Sequence, residues 1–270
     1  MQRLDLAVVQ AGLASSRQRA KALISGGQIQ VNGKVCSKPA FGISESDQLE
    51  LIGSDIPFVG RGGLKLEHAV NMLHLDFSGK TCLDIGASTG GFTDCMLQHG
   101  AEKVYAVDVG HDQLAPTLRA DPRVLCWEGT DIRNVNLAQL GKPAGFFSVD
   151  VSFISLEYVL PAAAALLASG GMAVVLIKPQ FEAGKENIGK NGLVLSKKVH
   201  ETVLYRMLGL FRTLGLSLQM LCPSPIQGGS GNIEYLAAVQ KSDAPPCSMD
   251  LREVIEQAFS AKRGKKEKAK

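Results

Sequence analysis

The chain has 270 residues, 45% hydrophobic and 20% charged, enough for one large domain and one small one and unlike a disordered or fibrous chain. A formal net charge of +3 gives no global argument for a polyanionic partner, so any such partner must be met by a local patch. Six cysteines without a Cys-x-x-Cys pair and five histidines without ligand spacing point to reduced thiols in a cytoplasmic protein and to no metal.

Residues 1–55 read as a small α+β domain. A short helix over Arg3–Ala11 is followed by Ser15-Ser16, which can cap a second helix, Arg17–Ser25, ended by Gly26-Gly27. A strand over Gln28–Val31, an Asn32-Gly33 turn, a strand starting near Lys34 and a strand over Gln48–Ile52 complete it. Residues 1–40 hold Arg3, Arg17, Arg19, Lys21, Lys34 and Lys38 against one acid, Asp5. Such a face suits a phosphate backbone, and equally an ordinary solvated surface. The stretch RLDLAVVQAGLASSRQRAKALISGGQIQVNGKVCSKPA resembles the S4 RNA-binding module through its SRxxAxxLIxxGxxxVNG pattern. That resemblance implies an RNA-docking face built from the second helix and the hairpin, with Arg3, Arg17, Arg19, Lys21 and Lys34 on it.

A linker over 56–61 contains Pro57, and a helix over Leu64–Leu75 carries apolar residues at Leu66, Ala69, Val70 and Leu73. From Lys80 strands and helices alternate, the pattern of a parallel sheet covered on both faces. Strands read Thr81–Gly86, Lys103–Val109, Val124–Glu128, Gly145–Val151 and Ala173–Lys178. Helices read Gly91–His99, Gln113–Arg119, Leu156–Ala168 and Lys197–Leu214. Two last strands, Leu216–Cys222 and Glu234–Gln240, are close enough to pair antiparallel. The expected fold is α/β: a Rossmann-like seven-stranded methyltransferase sheet over 62–262, preceded by the small domain and followed by a basic tail, 263–270, that frays. Tyr158–Ile177 is 20 residues without a charge, but Pro161 and Ser169-Gly170-Gly171 divide it into helix, turn and strand, so no membrane span is expected. The chain opens without a basic region followed by an apolar block, so no signal peptide is expected.

In an open parallel sheet, ligands bind beyond the carboxyl ends of the strands. The first strand ends in LDIGASTGGFTD, residues 83–94, where Gly86, Gly90 and Gly91 permit a tight turn and close backbone approach at a helix start. The spacing is not Gly-x-Gly-x-x-Gly, so the pyrophosphate fingerprint is missing. Asp84 would repel a pyrophosphate and suits a ligand with an ammonium group. Asp108, 24 residues after Asp84, ends the second strand, where a ribose diol is held. Asp131, in GTDIRNV, has the chemistry to accept from an adenine amino group, although taken alone it reads first as an aspartate that caps a helix or loop. The glycine loop, Asp84 and Asp108 together describe a pocket for S-adenosylmethionine, and Ser88, Phe92, Val109, Asp131 and Asp150 complete the candidate cofactor set.

The fourth strand ends in FFSVDVSF, with Asp150 but without the Asp/Asn-Pro-Pro-Tyr signature expected of amino-group methyltransferases. No Pro-Cys pair stands near the fourth or fifth strand end, as a cytosine C5 nucleophile would require. The fifth strand runs apolar from Met172 to Ile177 and then meets Lys178, which alone would read as a lysine snorkelling to water. Glu234 opens the last strand after the loop 226–232, and Lys65 lies on the helix before the sheet. In that order Lys65, Asp150, Lys178 and Glu234 resemble the Lys-Asp-Lys-Glu tetrad of FtsJ-like ribose 2′-O-methyltransferases. A ribose hydroxyl is a poor nucleophile, so a base must take its proton, and an amine serves where burial and a neighbouring cation favour its neutral form. Lys178 stands where such a base works, Lys65 supplies the neighbouring charge, and Asp150 and Glu234 orient lysine and ribose. GRGGLKLEHA, DIGASTGGFTD, DVSFIS, IKPQFEAGK and SPIQGGSGNIEYL occur in one order, and the chain is similar to the TlyA (hemolysin A) family. The resemblance implies S-adenosylmethionine-dependent 2′-O-methylation of cytidine in 16S ribosomal RNA, 23S ribosomal RNA, or both. The competing readings are a non-catalytic RNA- or ribosome-binding protein and a membrane-active hemolysin; the missing fingerprint disfavours an NAD-type oxidoreductase.

Overall fold

A computed structural model describes residues 2–14, 16–25, 27–44, 46–52, 56–228 and 231–267. The chain divides into two compact units, Met1–Pro57 and Phe58–Lys270.

In the small unit, helices Leu4–Gln10 and Arg17–Ser25 carry Leu4, Val8, Ala20, Leu23 and Ile24 at helical spacing, all without solvent exposure, around Ile29. The Ser16 hydroxyl accepts from the Arg19 N–H (3.1 Å) and caps the second helix; Ser15 and Gly26, named above as cap and stop, lie outside the described residues. Asn32 and Gly33 both have positive φ (52° and 74°), the type I′ requirement for a two-residue hairpin. They join Ile29–Val31 to Lys34–Val35, and Leu49–Leu51 pairs with the other edge of Ile29–Val31. A further antiparallel pair, Gln2–Arg3 with Gly42–Ile43, has no signal in the sequence pattern because it is two residues long.

The large unit runs α1 (Gly62–Leu73), β1 (Thr81–Ile85), α2 (Gly91–Gln98), β2 (Lys103–Asp108), β3 (Val124–Glu128), β4 (Ala144–Val149), α3 (Leu156–Leu166), β5 (Leu167–Ile177), α4 (Lys197–Thr213), β6 (Leu216–Pro223), β7 (Tyr235–Lys241) and α5 (Leu251–Glu267). The sheet order is β6-β7-β5-β4-β1-β2-β3. β1 to β5 are mutually parallel, and β7 enters antiparallel between β5 and β6. The strands at its centre are buried on both faces, which explains their unbroken apolar runs.

Most boundaries differ from the sequence expectation by a residue or two, among them the helix expected over Leu64–Leu75, which runs Gly62–Leu73, and three larger differences have a structural cause. The helix expected over Gln113–Arg119 is confined to Pro116–Arg119. The Glu128 carboxylate accepts from the N–H groups of Asp112, Gln113 and Leu114 (2.9, 2.8 and 2.8 Å), which holds that stretch as a loop, and Pro116 then opens the helix. β5 begins at Leu167 rather than Ala173, because a register shift between Leu167 and Met172 absorbs the Ser169-Gly170-Gly171 stretch expected as a turn. The backbone of α5 extends to Glu267, through part of the segment expected to fray; Leu251, Val254, Ile255 and Ala258 anchor its start in the core at helical spacing. Among the described residues no helix is long and apolar enough to cross a membrane.

Candidate active site

β1 and β4 are neighbours whose chains leave toward opposite sides of the sheet, so a cleft opens beyond their carboxyl ends. The two exits are close: Asp150 N–H donates to the Ile85 carbonyl (3.0 Å). A Cβ on Gly86 would lie 2.7 Å from the Asp150 carbonyl oxygen, and its φ of 81° is in the region glycine favours. Only glycine fits there without forcing the exits apart.

Two cavities, of about 590 and 490 Å³, lie beyond these strand ends and share Gly86, Ser88, Asp150, Ser152 and Phe153. Asp84, Gly86, Ser88, Gly91, Phe92 and Asp150 line the first. Asp108, Val109 and Asp131 line the second. Gly90 lines neither; its φ is 92° and a Cβ there would meet the Leu118 side chain at 2.3 Å.

Three of the four candidate cofactor aspartates, Asp84, Asp108 and Asp131, differ in what already occupies them. Buried Asp84 accepts from Thr93 N–H (2.8 Å), Thr93 Oγ1 (2.7 Å) and Ser148 Oγ (2.9 Å), tying the start of α2 to the sheet. Burial pushes its carboxyl up to about 6, against the pull of those donors. Asp108 accepts from Ser88 N–H and Gly110 N–H (both 2.8 Å), one at each oxygen, so it shapes the glycine loop and keeps lone pairs free. Among the described residues Asp131 is engaged by Arg133: Oδ1 accepts from its N–H (2.9 Å), and Oδ2 lies 2.6 Å from Nη2. The Arg133 guanidinium holds its carboxyl below the usual carboxylate range.

The four charged residues expected as a tetrad meet in the first cavity. In β5 and β7, Ile177 pairs with Tyr235, so Lys178 and Glu234 stand one residue beyond, at the same end of the sheet. Lys65, from α1, lies 3.0 Å from Glu234 Oε2 and 3.3 Å from Asp150 Oδ2. Lys178 Nζ lies 2.6 Å from Asp150 Oδ1 and donates to Ser152 Oγ at 2.9 Å. Lys65, Lys178 and Glu234 are buried (8%, 8% and 4% exposed), and two cations face two anions, so the cluster is charge-balanced. Glu234 lies just before β7 rather than in it.

Several residues around the tetrad carried no signal of their own in the sequence. Gln180 Nε2 donates to Glu234 Oε1 (3.4 Å), and buried Glu182 accepts from Ser155 Oγ (2.7 Å) and Leu156 N–H (2.8 Å), fixing the turn after Lys178 to the start of α3. Phe153 is 91% exposed at a φ of 66°, with its ring centroid 5.1 Å from that of Phe181. A strained, exposed aromatic beside a cleft is a functional signal, but only the fold reveals the strain. The clue to Ser152 and Phe153 was their place in the DVSFIS stretch, beside Asp150.

In the small unit, Asp5 binds Arg3 (3.0 and 3.1 Å) and Arg17 (3.1 Å), and chiefly the Arg3 hydrogen bond lowers its carboxyl to about 2. The single acid among the first 40 residues thus orders two of the cations while leaving both exposed. Lys21 and Lys34 are exposed, and Arg19 is half-buried. Among the described residues no three His, Cys, Asp or Glu side chains lie close enough to hold a metal ion.

Comparison with known proteins agrees with this division. Residues 58–241 match the FtsJ-like methyltransferase family and residues 2–49 match the S4 domain. The chain is 46% identical over 237 residues to YqxC of Bacillus subtilis, named as an rRNA methyltransferase, covering 87% of this chain and 84% of that one. It is 36% identical over 260 residues to the 16S/23S rRNA (cytidine-2′-O)-methyltransferase TlyA of Mycobacterium tuberculosis, covering 96% and 97%. A solved structure from Streptococcus thermophilus, described as a hemolysin, superposes with a TM-score of 0.79 at 43% identity over 98% of both chains.

Proposed function

As the chain belongs to the FtsJ-like methyltransferase family, with an S4 domain preceding that region in sequence, we propose that it transfers a methyl group from S-adenosylmethionine to the 2′-hydroxyl of a cytidine in 16S ribosomal RNA, 23S ribosomal RNA or both. The observation that carries this reading is the buried, charge-balanced cluster of Lys65, Asp150, Lys178 and Glu234 inside one cleft. When bound, S-adenosylmethionine supplies an electrophilic methyl group and a thioether leaving group. Asp108, with lone pairs still free, suits its ribose diol, and the first cavity suits its methionine end. Asp84 acts there by holding α2 against the sheet as well as by its charge. Asp131 contacts an adenine amino group only by sharing its oxygens with Arg133.

Lys178 takes the 2′-hydroxyl proton as that oxygen attacks. Asp150 and Glu234 hold the lysines and the ribose in place. General-base help is worth about 10²–10⁴-fold, and holding the hydroxyl in line roughly 7–11 kcal/mol, so positioning is the larger effect. The exposed cations Arg3, Arg17, Lys21 and Lys34 of the small unit, with half-buried Arg19, suit the phosphate backbone and position the RNA without reading its bases. Phe153 offers an apolar face to a base at the mouth of the cleft.

The test is transfer of labelled methyl from S-adenosylmethionine to ribosomal subunits, with Lys178→Ala in parallel. Label at an alkali-resistant ribose with the wild type alone is the expected result. No label on either subunit, with RNA still bound, would leave a non-catalytic RNA-binding protein.

A further inference from the structure

Lys178 touches two acceptors, and they do different things. Asp150 Oδ1 lies 2.6 Å from Nζ yet makes no directed hydrogen bond, so that contact is one of charge. The directed bond from Nζ goes to Ser152 Oγ at 2.9 Å. Ser152 follows β4 by three residues and lines both cavities. Lys65 neutralises Asp150 and Glu234 from the other side, and the Phe181 ring centroid lies 5.7 Å from Nζ.

From this we infer that Ser152 is a positioning residue that aims the Lys178 amine at the acceptor hydroxyl. The inference rests on the reading of Lys178 as the base. To act as base the Lys178 ammonium first releases a proton to water, and the amine then has two N–H bonds and one lone pair at tetrahedral positions. Ser152 Oγ accepts one N–H. Of the two positions that remain, the lone pair takes the one away from the Asp150 carboxylate, because a lone pair facing an anion is repelled, and the second N–H takes the other without a directed bond. The lone pair is left for the cavity. There it takes the 2′-hydroxyl proton, the oxygen forms its bond to the methyl carbon, and the methyl–sulfur electron pair leaves with the sulfur of S-adenosylmethionine. Without Ser152 the packing of the side chain still leaves Nζ beside Asp150, but no directed hydrogen bond sets its rotation about the Cε–Nζ bond.

The experiment compares wild type, Ser152→Ala, Ser152→Thr, Lys178→Ala and the double variant Ser152→Ala/Lys178→Ala in methyl transfer to ribosomal subunits. Calorimetry with S-adenosylmethionine reports that each variant is folded and binds. Ser152→Ala is expected to lower kcat about 10-fold, with cofactor affinity and the KM for RNA within about twofold of wild type. Ser152→Thr, which keeps the acceptor oxygen, is expected to restore most of kcat, and Ser152→Ala to add nothing in the Lys178→Ala background. An unchanged or higher kcat for Ser152→Ala overturns the inference; a higher one means that the serine hydroxyl donates to the lone pair and blocks it. A loss carried in KM or cofactor affinity, or not restored by threonine, also overturns it. A wild type that methylates no ribose removes the reading of Lys178 and this inference together, whereas an active wild type matched by Ser152→Ala removes this inference alone.

Discussion

At the scale of single residues, the cleft is governed by how each charge is compensated. Lys65 and Lys178 balance Asp150 and Glu234, whereas Asp84 has only hydroxyl and N–H donors, so burial dominates it. Its carboxyl rises in the folded chain from 3.8 to about 6. The folded state then holds a proton that the unfolded state has released, so the contribution to stability is full below the unfolded value and is lost as pH rises through about 6. Asp84→Asn cannot titrate. Relative to that variant, the wild type is expected to lose on the order of 2 kcal/mol between pH 4 and pH 7, measured by urea unfolding at each pH. Parallel stability curves for the two proteins would mean that Asp84 does not titrate in this window. Asp108, Asp150 and Lys178 were conspicuous as charges at the ends of apolar strand runs, whereas Lys65, on a helix, and Glu234 stood out through the resemblance to a Lys-Asp-Lys-Glu set. Ser152 and Glu182 were not: a serine and a glutamate in a turn look like ordinary surface, and only folding brings Glu182 to the Leu156 N–H.

At the scale of elements, the site depends on the close exit of β1 and β4 at Gly86. Gly86→Ala would set a side chain in the left-handed region and push a methyl group onto the Asp150 carbonyl. The expected cost is roughly 2 kcal/mol or more in thermal unfolding, with a loss of turnover larger than that cost explains, because Asp150 moves with the backbone. An alanine variant as stable and as active as wild type would show that the exits tolerate separation. The strand pattern was readable from apolar runs, but the start of β5 and the length of the helix before β3 were not. In the first a register shift lets a glycine pair run on in a strand, and in the second a glutamate from β3 captures three N–H groups. Both are contacts between elements, invisible to periodicity.

At the scale of the whole molecule, two units have separate cores and separate chemistry, cationic in one and ionic and catalytic in the other. Lys21→Ala with Lys34→Ala is expected to weaken RNA binding uniformly across sequences and to lower the slope of log affinity against log salt by about 2, with S-adenosylmethionine affinity unchanged. An unaltered slope would make those lysines solvated surface. The sequence by itself determined the α/β class and the two-part organisation, since apolar runs and the S4-like pattern are properties of short stretches, and it offered the four charged residues as candidates through a resemblance. The tertiary structure alone decided that β7 inserts between β5 and β6, which sets Glu234 beside Lys178. It alone decided which oxygen each cation meets, because burial and hydrogen-bond geometry arise between residues as far apart as Lys65 and Glu234.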